Sequence, residues 1–492
     1  MLSSCVATKN KNYTFNQKYS ATKVREDIVL LKKILEANHP SLYWYTTKDS
    51  IDYYFNQTLA SITDSLTEIQ AKNKMAFIIS RIKCGHTSVH FSKQFVALAD
   101  KYKYPQFPLS IKVWKDSFVV LGYYNKEDSL LKRGTIITSI NGKKNKQIID
   151  DVFQYISTDG NSNNYKSQSL TGNFPAWYRN VYGIDSNYVI TYLDSNKLEK
   201  TTTIKWHYPK PDITKKQVDS TKAVAVIAKP KPIVKPLLSK RQLKLLSYRT
   251  FAIDTGISTS FIKLNTFSKG NLRCFINSCF KDIDDKQIKN LVIDLRENGG
   301  GSIATSIHFI QYLVDSNFKI ADTVAAINRK LEYGNYIKGW FSYWTLSHLF
   351  ATKKSDGLIH NRWYETHYFK PKSKYHFNGN VYIIQGGYTF SASTIFSSFL
   401  KGQSNVKIVG EESGGGFYGN SAMHIPNIYL PNTKLRVRLP LYKYVMDKDR
   451  PKGQGVLPDI EIQPNSNAIR NAIDPKMSEV LRLIRESNKQ NK

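Results

Sequence analysis

Between residues 290 and 410 short apolar runs alternate with helical patterns. Residues 290–295, Asn-Leu-Val-Ile-Asp-Leu, read as a buried strand, 303–314 as a helix, 381–385 as a strand, 391–400 as a helix and 406–410 as a strand. Runs too short for helices, separated by stretches with three-and-four spacing, imply strands covered by helices on a partly parallel sheet. A segment rich in Trp, Tyr and His, 328–378, interrupts the alternation and either walls a pocket or covers the sheet. This pattern occupies less than half of the 492 residues, and a chain of that length exceeds one ordinary core.

The remainder divides by changes of period. Val24, Ile28, Leu31 and Leu35 recur at helical steps and stop before Asn38-His39-Pro40, and a second helical stretch covers 50–82. Together they form a helical cap over 21–100, preceded by a polar tether, 1–20. Residues 101–208 change to β runs at 118–123 and 135–140, the latter closed by Asn141-Gly142 and followed by a helix over 147–155. Pro209, Pro211, Pro230, Pro232 and Pro236 lie among lysines and mark a linker, 209–246, because proline blocks helix interiors and central strands. An α/β domain over 247–466 and a helical tail over 467–492 complete the chain. The sequence therefore predicts a multidomain α/β protein.

The formal net charge is +32, with Lys and Arg spread along the chain as a solvated surface. No fingerprint places a basic helix or an aromatic sheet on bases, so nucleic acid is not expected as a partner. Cys5, Cys84, Cys274 and Cys279 supply neither a disulfide framework nor a zinc site, since Cys274 and Cys279 lack a second ligand pair. No apolar run reaches 18 residues. Leu2-Ser3-Ser4-Cys5 resembles the cleavage box of bacterial lipoproteins, in which the cysteine becomes the lipidated first residue, although only Met1 precedes it. That resemblance implies a bacterial cell envelope protein held by lipid on Cys5; without it the alternative is cytoplasmic.

Two segments carry chemistry. In 385–400 a strand ends at Gly386-Gly387 and a helix begins near Ser391. A serine at that junction lies in the positive field of a helix N-terminus beside free N–H groups, and is either a nucleophile or a helix cap. In Asp294-Leu295-Arg296-Glu297-Asn298-Gly299-Gly300-Gly301, glycines at a strand end allow backbone N–H groups to approach developing negative charge.

With Ser391-Ala392-Ser393, Val409-Gly410-Glu411 and Gly455-Val456-Leu457-Pro458-Asp459-Ile460 following in order, the chain resembles the C-terminal processing, or tail-specific, serine peptidases, and their tricorn-like branch. The resemblance is strong over 290–464. It implies an α/β peptidase core of the tail-specific protease type, with Ser391 as nucleophile and an oxyanion hole from the N–H groups of Ala392 and of Gly300 or its neighbour. Residues 130–142 resemble the core of a PDZ domain, which makes 101–208 a PDZ-like β domain. Many members use a Lys base, but Ser413-Gly414-Gly415-Gly416-Phe417 stands where that Lys would be. The tricorn-like branch takes a His from a Gly-His-Thr segment, which maps onto Gly85-His86-Thr87 and makes His86 the base. Its imidazole is expected near the ordinary pKa of about 6.5. The branch's orienting acid has no match, since Lys452 occupies its place; Asp449 is the nearest carboxylate. Thr394, where many members have Glu, reads as helix surface. His39, His90 and His367 read as structural.

The resemblance thus implies a serine peptidase acting on peptide or protein substrates without a metal or organic cofactor. A noncatalytic peptide-binding protein on the same scaffold and a hydrolase of nonpeptide esters or amides are the alternatives. Oligomeric state is not legible.

Overall fold

The computed structural model describes residues 13–125, 130–209 and 238–490. The expectations for Cys5, for most of the 1–20 tether and for most of the Pro/Lys linker lie outside these residues.

Helices α1 (Ala21–Asn38), α2 (Lys48–Ala60) and α3 (Glu68–Arg81) form the N-terminal region. The single stretch expected over 50–82 is two helices. The stretch Ser61-Ile62-Thr63-Asp64-Ser65 separates them, and Thr67 begins α3 with a capping box, its side chain accepting the Gln70 N–H while the Gln70 side chain accepts the Thr67 N–H. The apolar face of α1, with Val24, Ile28, Leu31, Ile34 and Leu35, is fully buried. It shares one core with Ile320, Val324, Ile428, Leu430, Val437 and Tyr444 from the second half of the chain. Buried Asp27 fixes the register of that contact, accepting from the Thr433 N–H at 2.7 Å and hydroxyl at 2.6 Å.

Strands β1 (Leu109–Trp114), β2 (Ser117–Tyr123), β3 (Ile136–Ile140), β4 (Asn187–Leu193) and β5 (Glu199–Lys205) pair antiparallel in that order. Helices Asn145–Phe153, Asn163–Gly172 and Phe174–Tyr182 cover one face and close a separate core around Phe107, Phe118, Phe174 and Tyr178.

The central sheet runs β6 (Arg249–Asp254), β7 (Thr259–Leu264), β8 (Asn290–Asp294), β9 (Asn380–Gln385), β10 (Val406–Gly410) and β11 (Ile460–Glu461). Only β6 is antiparallel to its neighbour; the rest are parallel. Parallel strands need crossovers, and α4 (Leu272–Asp285), α5 (Ile303–Ile310) and α6 (Ala392–Leu400) supply cover on one face. The final helix, α7 (Pro475–Gln490), buries Val480 and Ile484 against Val292, Tyr382, Ile384 and Val409 on the other. β8 and β9 are buried on both faces, which explains their unbroken apolar sequence.

The aromatic insert contributes short strands at Thr352–Lys353 and Ile359–His360 to a second sheet with Thr323–Ala326, Tyr442–Val445 and Gly419–Ala422. Its helix Trp340–Phe350 buries Tyr343 and Ser347 and leaves Phe341, Leu349 and Phe350 exposed.

Because α1 and the second half of the chain share a core, Leu31→Ala and Ile428→Ala should each cost about 2–5 kcal/mol. Denaturant unfolding followed by both fluorescence and circular dichroism checks this. One shifted transition common to both probes is expected, not early loss of an independent helical unit.

Candidate active site

At the C-terminal end of β9 the chain turns sharply into α6, and Ser391 occupies the turn with φ 57° and ψ −125°. A non-glycine residue there carries strain of about 1–3 kcal/mol and persists only when its surroundings enforce it. Several contacts do so. The Thr389 hydroxyl accepts from the Gly386 N–H at 3.1 Å and donates to the Leu295 carbonyl at 3.0 Å. The Phe390 N–H donates to the Asn298 carbonyl at 3.1 Å. Thr394, expected on the helix surface, is fully buried and donates to the Thr389 carbonyl at 2.9 Å. The Ser391 side chain makes no capping bond to the helix. Its hydroxyl lies 3.0 Å from Nε2 of His86.

His86 reaches this point from the loop after α3, where the Thr87 N–H donates to the Cys84 carbonyl at 3.1 Å. Buried His39, read from the sequence as structural, hydrogen-bonds the Thr87 hydroxyl at 2.8 Å through Nε2 and so braces this loop. The His86 ring is 5% exposed and stands 4.8 Å from the Phe390 ring, centroid to centroid. Burial pushes its pKa down to about 3, and the positive charge of Arg438 adds to this. The ordinary value near 6.5 expected from sequence assumed solvent that the site excludes. Nδ1 of His86 has no hydrogen-bond partner among the described residues.

Gly300, at φ 94°, passes so close to the Ser391 turn that a Cβ there would sit 2.6 Å from the Phe390 carbonyl oxygen and 2.7 Å from Ser391 Cβ. Its N–H donates to Asn298 Oδ1 at 2.9 Å and is therefore engaged within its own turn. Ala392 is the first residue of α6, where an N–H has no intrahelical acceptor.

Asp449 is not brought to His86. It is exposed in a turn organised by Asp447, which accepts the Asp449 N–H at 2.9 Å and pairs with Arg450 at 3.2 Å. Proximity in sequence to the Gly-Val-Leu-Pro-Asp segment does not set the direction of a carboxylate on a turn. The buried carboxylate beside the His86 loop is Asp159, which accepts the Gly85 N–H at 2.8 Å. Its only sequence signal is the dipeptide Asp159-Gly160, which reads as a turn.

A serine hydroxyl against a buried imidazole, at the carboxyl ends of parallel strands and beside a helix N-terminus, is an arrangement suited to acyl transfer. Residues 258–462 match the model of peptidase family S41. The chain carries the S41 peptidase fold and is a serine-type peptidase, a hydrolase of peptide or protein substrates. That match covers less than half of the chain, and over it the chain is similar to the peptidases of that family. Its fold is similar to that of mature CPAF, with a TM-score of 0.64 at 13% identity over 94% of this chain and 96% of that one. Mature CPAF complexed with lactacystin gives 0.64 at 14% identity over 96% and 98%. Comparison with curated proteins finds no match.

The buried imidazole gives a direct check. An NMR titration of His86, assigned by loss of its signal in His86→Gln, should show a midpoint well below the free value of about 6.5. An unfolded chain takes up this proton near 6.5 and the folded site refuses it, so the contribution of His86 to stability is lost as pH falls from about 6.5 toward about 3. A midpoint at or above about 6.5 would contradict the burial.

Proposed function

We propose that Ser391 is the nucleophile of this peptidase and His86 its general base. The observation that carries this reading is the 3.0 Å separation of His86 Nε2 and Ser391 Oγ, two groups 305 residues apart in sequence. Ser391 Oγ attacks the carbonyl carbon of the scissile peptide as its proton passes to Nε2. The carbonyl oxygen becomes an oxyanion, received by the Ala392 N–H together with an N–H of the Gly299 to Gly301 stretch. Collapse expels the amine, which takes the proton back from the imidazole and leaves an acyl-enzyme. A water activated by the same nitrogen then releases the acid. Nε2 accepts the serine proton only in the tautomer with hydrogen on Nδ1.

Around this centre we assign the antiparallel domain 101–208 a PDZ-like role in presenting extended substrate, in keeping with its antiparallel sheet and covering helices. The helical cap 21–100 supplies the base, and 247–466 supplies the nucleophile. Lipid on Cys5 would hold the enzyme at the bacterial cell envelope, and the native protein should then partition with membranes and lose this behaviour in Cys5→Ala. A native protein that remains in the soluble fraction argues against the anchor.

Ser391→Ala and His86→Ala should each lower kcat on a peptide substrate by about 10⁴-fold or more, and the double variant little further, because members of a catalytic unit fail together. A fluorophosphonate probe should label the wild type and not Ser391→Ala. Turnover retained in Ser391→Ala would remove the nucleophile assignment. A wild type that neither cleaves peptides nor takes the label would favour the peptide-binding alternative.

A further inference from the structure

Three loops from distant parts of the chain meet at one carboxylate. Asp159 follows the helix Asn145–Phe153 in the antiparallel domain and is 3% exposed. Its Oδ1 accepts the Gly85 N–H at 2.8 Å, one residue before His86. Gly416 packs against the same side chain, and a Cβ on it would sit 3.8 Å from Asp159 Cβ. Gly416 ends the glycine run 414–416, in which the Gly414 and Gly415 N–H groups donate to the Thr389 carbonyl at 3.0 and 3.3 Å, two residues before Ser391. The loop of the base is thus tied to Asp159, and the loop that braces the nucleophile packs beside the same side chain.

The surrounding contacts leave little freedom. The Gly160 N–H donates to the Lys83 carbonyl at 3.0 Å, and the Asn161 N–H to the Gly453 carbonyl at 2.9 Å. A Cβ on Gly85 would sit 2.6 Å from the Phe390 ring and 3.2 Å from the Asp159 nitrogen, so the backbone of the His86 loop is wedged between the two. His86 itself receives no orienting bond at Nδ1 from any described residue. Orientation must therefore come from the loop.

We propose that Asp159 is the positioning residue of the site, its carboxylate oxygen holding the Gly85 amide so that the imidazole of His86 meets Ser391. This inference rests on the assignment of His86 and Ser391 above. What the role requires is an acceptor at the place of Oδ1, not a negative charge. Burial agrees with this, since it pushes the Asp159 acid up to about 7 despite the Gly85 amide that it accepts.

Two substitutions separate acceptor from charge. Asp159→Asn keeps an oxygen at the same reach and removes the charge. Asp159→Glu keeps the charge and moves the oxygens by one methylene. In the full chain, with kcat and KM measured on one peptide and folding checked by thermal unfolding, Asn should stay within about 5-fold of wild-type kcat. Glu should lose about 10²-fold in kcat with KM little changed, the cost of a misplacement near 1 Å at a reacting pair. Glu at wild-type kcat, or Asn falling as low as Glu, would overturn the proposal. Ser391→Ala and His86→Ala are measured beside them. If those two keep turnover, the underlying assignment fails. If they abolish it while Asp159→Glu does not lower kcat, the positioning role alone fails.

Discussion

The strained turn at Ser391 is the constraint from which the rest of the site follows. A parallel strand delivers its last residue at the sheet edge, and a helix starting at once must reverse the chain within a few residues. Holding Ser391 at positive φ turns its hydroxyl away from the capping position and toward the cleft. The strain of about 1–3 kcal/mol is small beside the contacts that enforce it. Thr389, Asn298 and Thr394 tie the turn to β8 and to the first turn of α6, and the Ser306 hydroxyl donates to the Ala392 carbonyl at 2.9 Å. Gly300 belongs to this constraint because no side chain fits where its backbone meets Ser391.

The partner of Ser391 is carried by a different region, and its position depends on long-range packing. His86 follows α3, whose residues Met75, Ile78 and Ile79 lie in the same core as Val324, Ile428 and Tyr444. A core of that extent fixes the end of α3, and the strand pair Val89–His90 with Arg436–Arg438 fixes the far side of the loop. The imidazole is therefore held between two anchored points. The N-terminal helices are part of the same structural unit as the second sheet of the catalytic half, not an attachment to it.

Legibility in the sequence followed from how local each determinant is. The alternation over 290–410 fixes strand and helix identities because period and length decide them, and β8, β9 and β10 lie within a residue of the expected bounds. The helix expected over 303–314 stops as α5 at Ile310, and residues 311–314 complete turns instead. Glycines around Ser391 were visible as motif, but the strain they permit was not. Thr394 is buried, not on the helix surface, and Asp449 is exposed, for one reason: side-chain direction depends on the fold of the segment, not on distance along it. Asp159 was invisible, since an Asp-Gly pair in a polar stretch carries the signal of a turn and nothing more.

The proposed base, His86, has a pKa depressed to about 3, which raises the question of how it takes a proton at all. In the free site an imidazolium would be buried near Arg438, with no carboxylate bonded to Nδ1, and burial without a partner makes that charge costly. The oxyanion changes this balance. In the proposed attack, as Ser391 Oγ bonds to the carbonyl carbon, negative charge appears on the former carbonyl oxygen beside the same imidazole, and in a water-excluded site the two opposite charges stabilise each other strongly. Proton transfer is then favourable only in step with attack. A site of this kind keeps its serine neutral and unreactive toward water until a peptide carbonyl is seated, and it concentrates its electrostatic stabilisation in the transition state, where it accelerates the reaction.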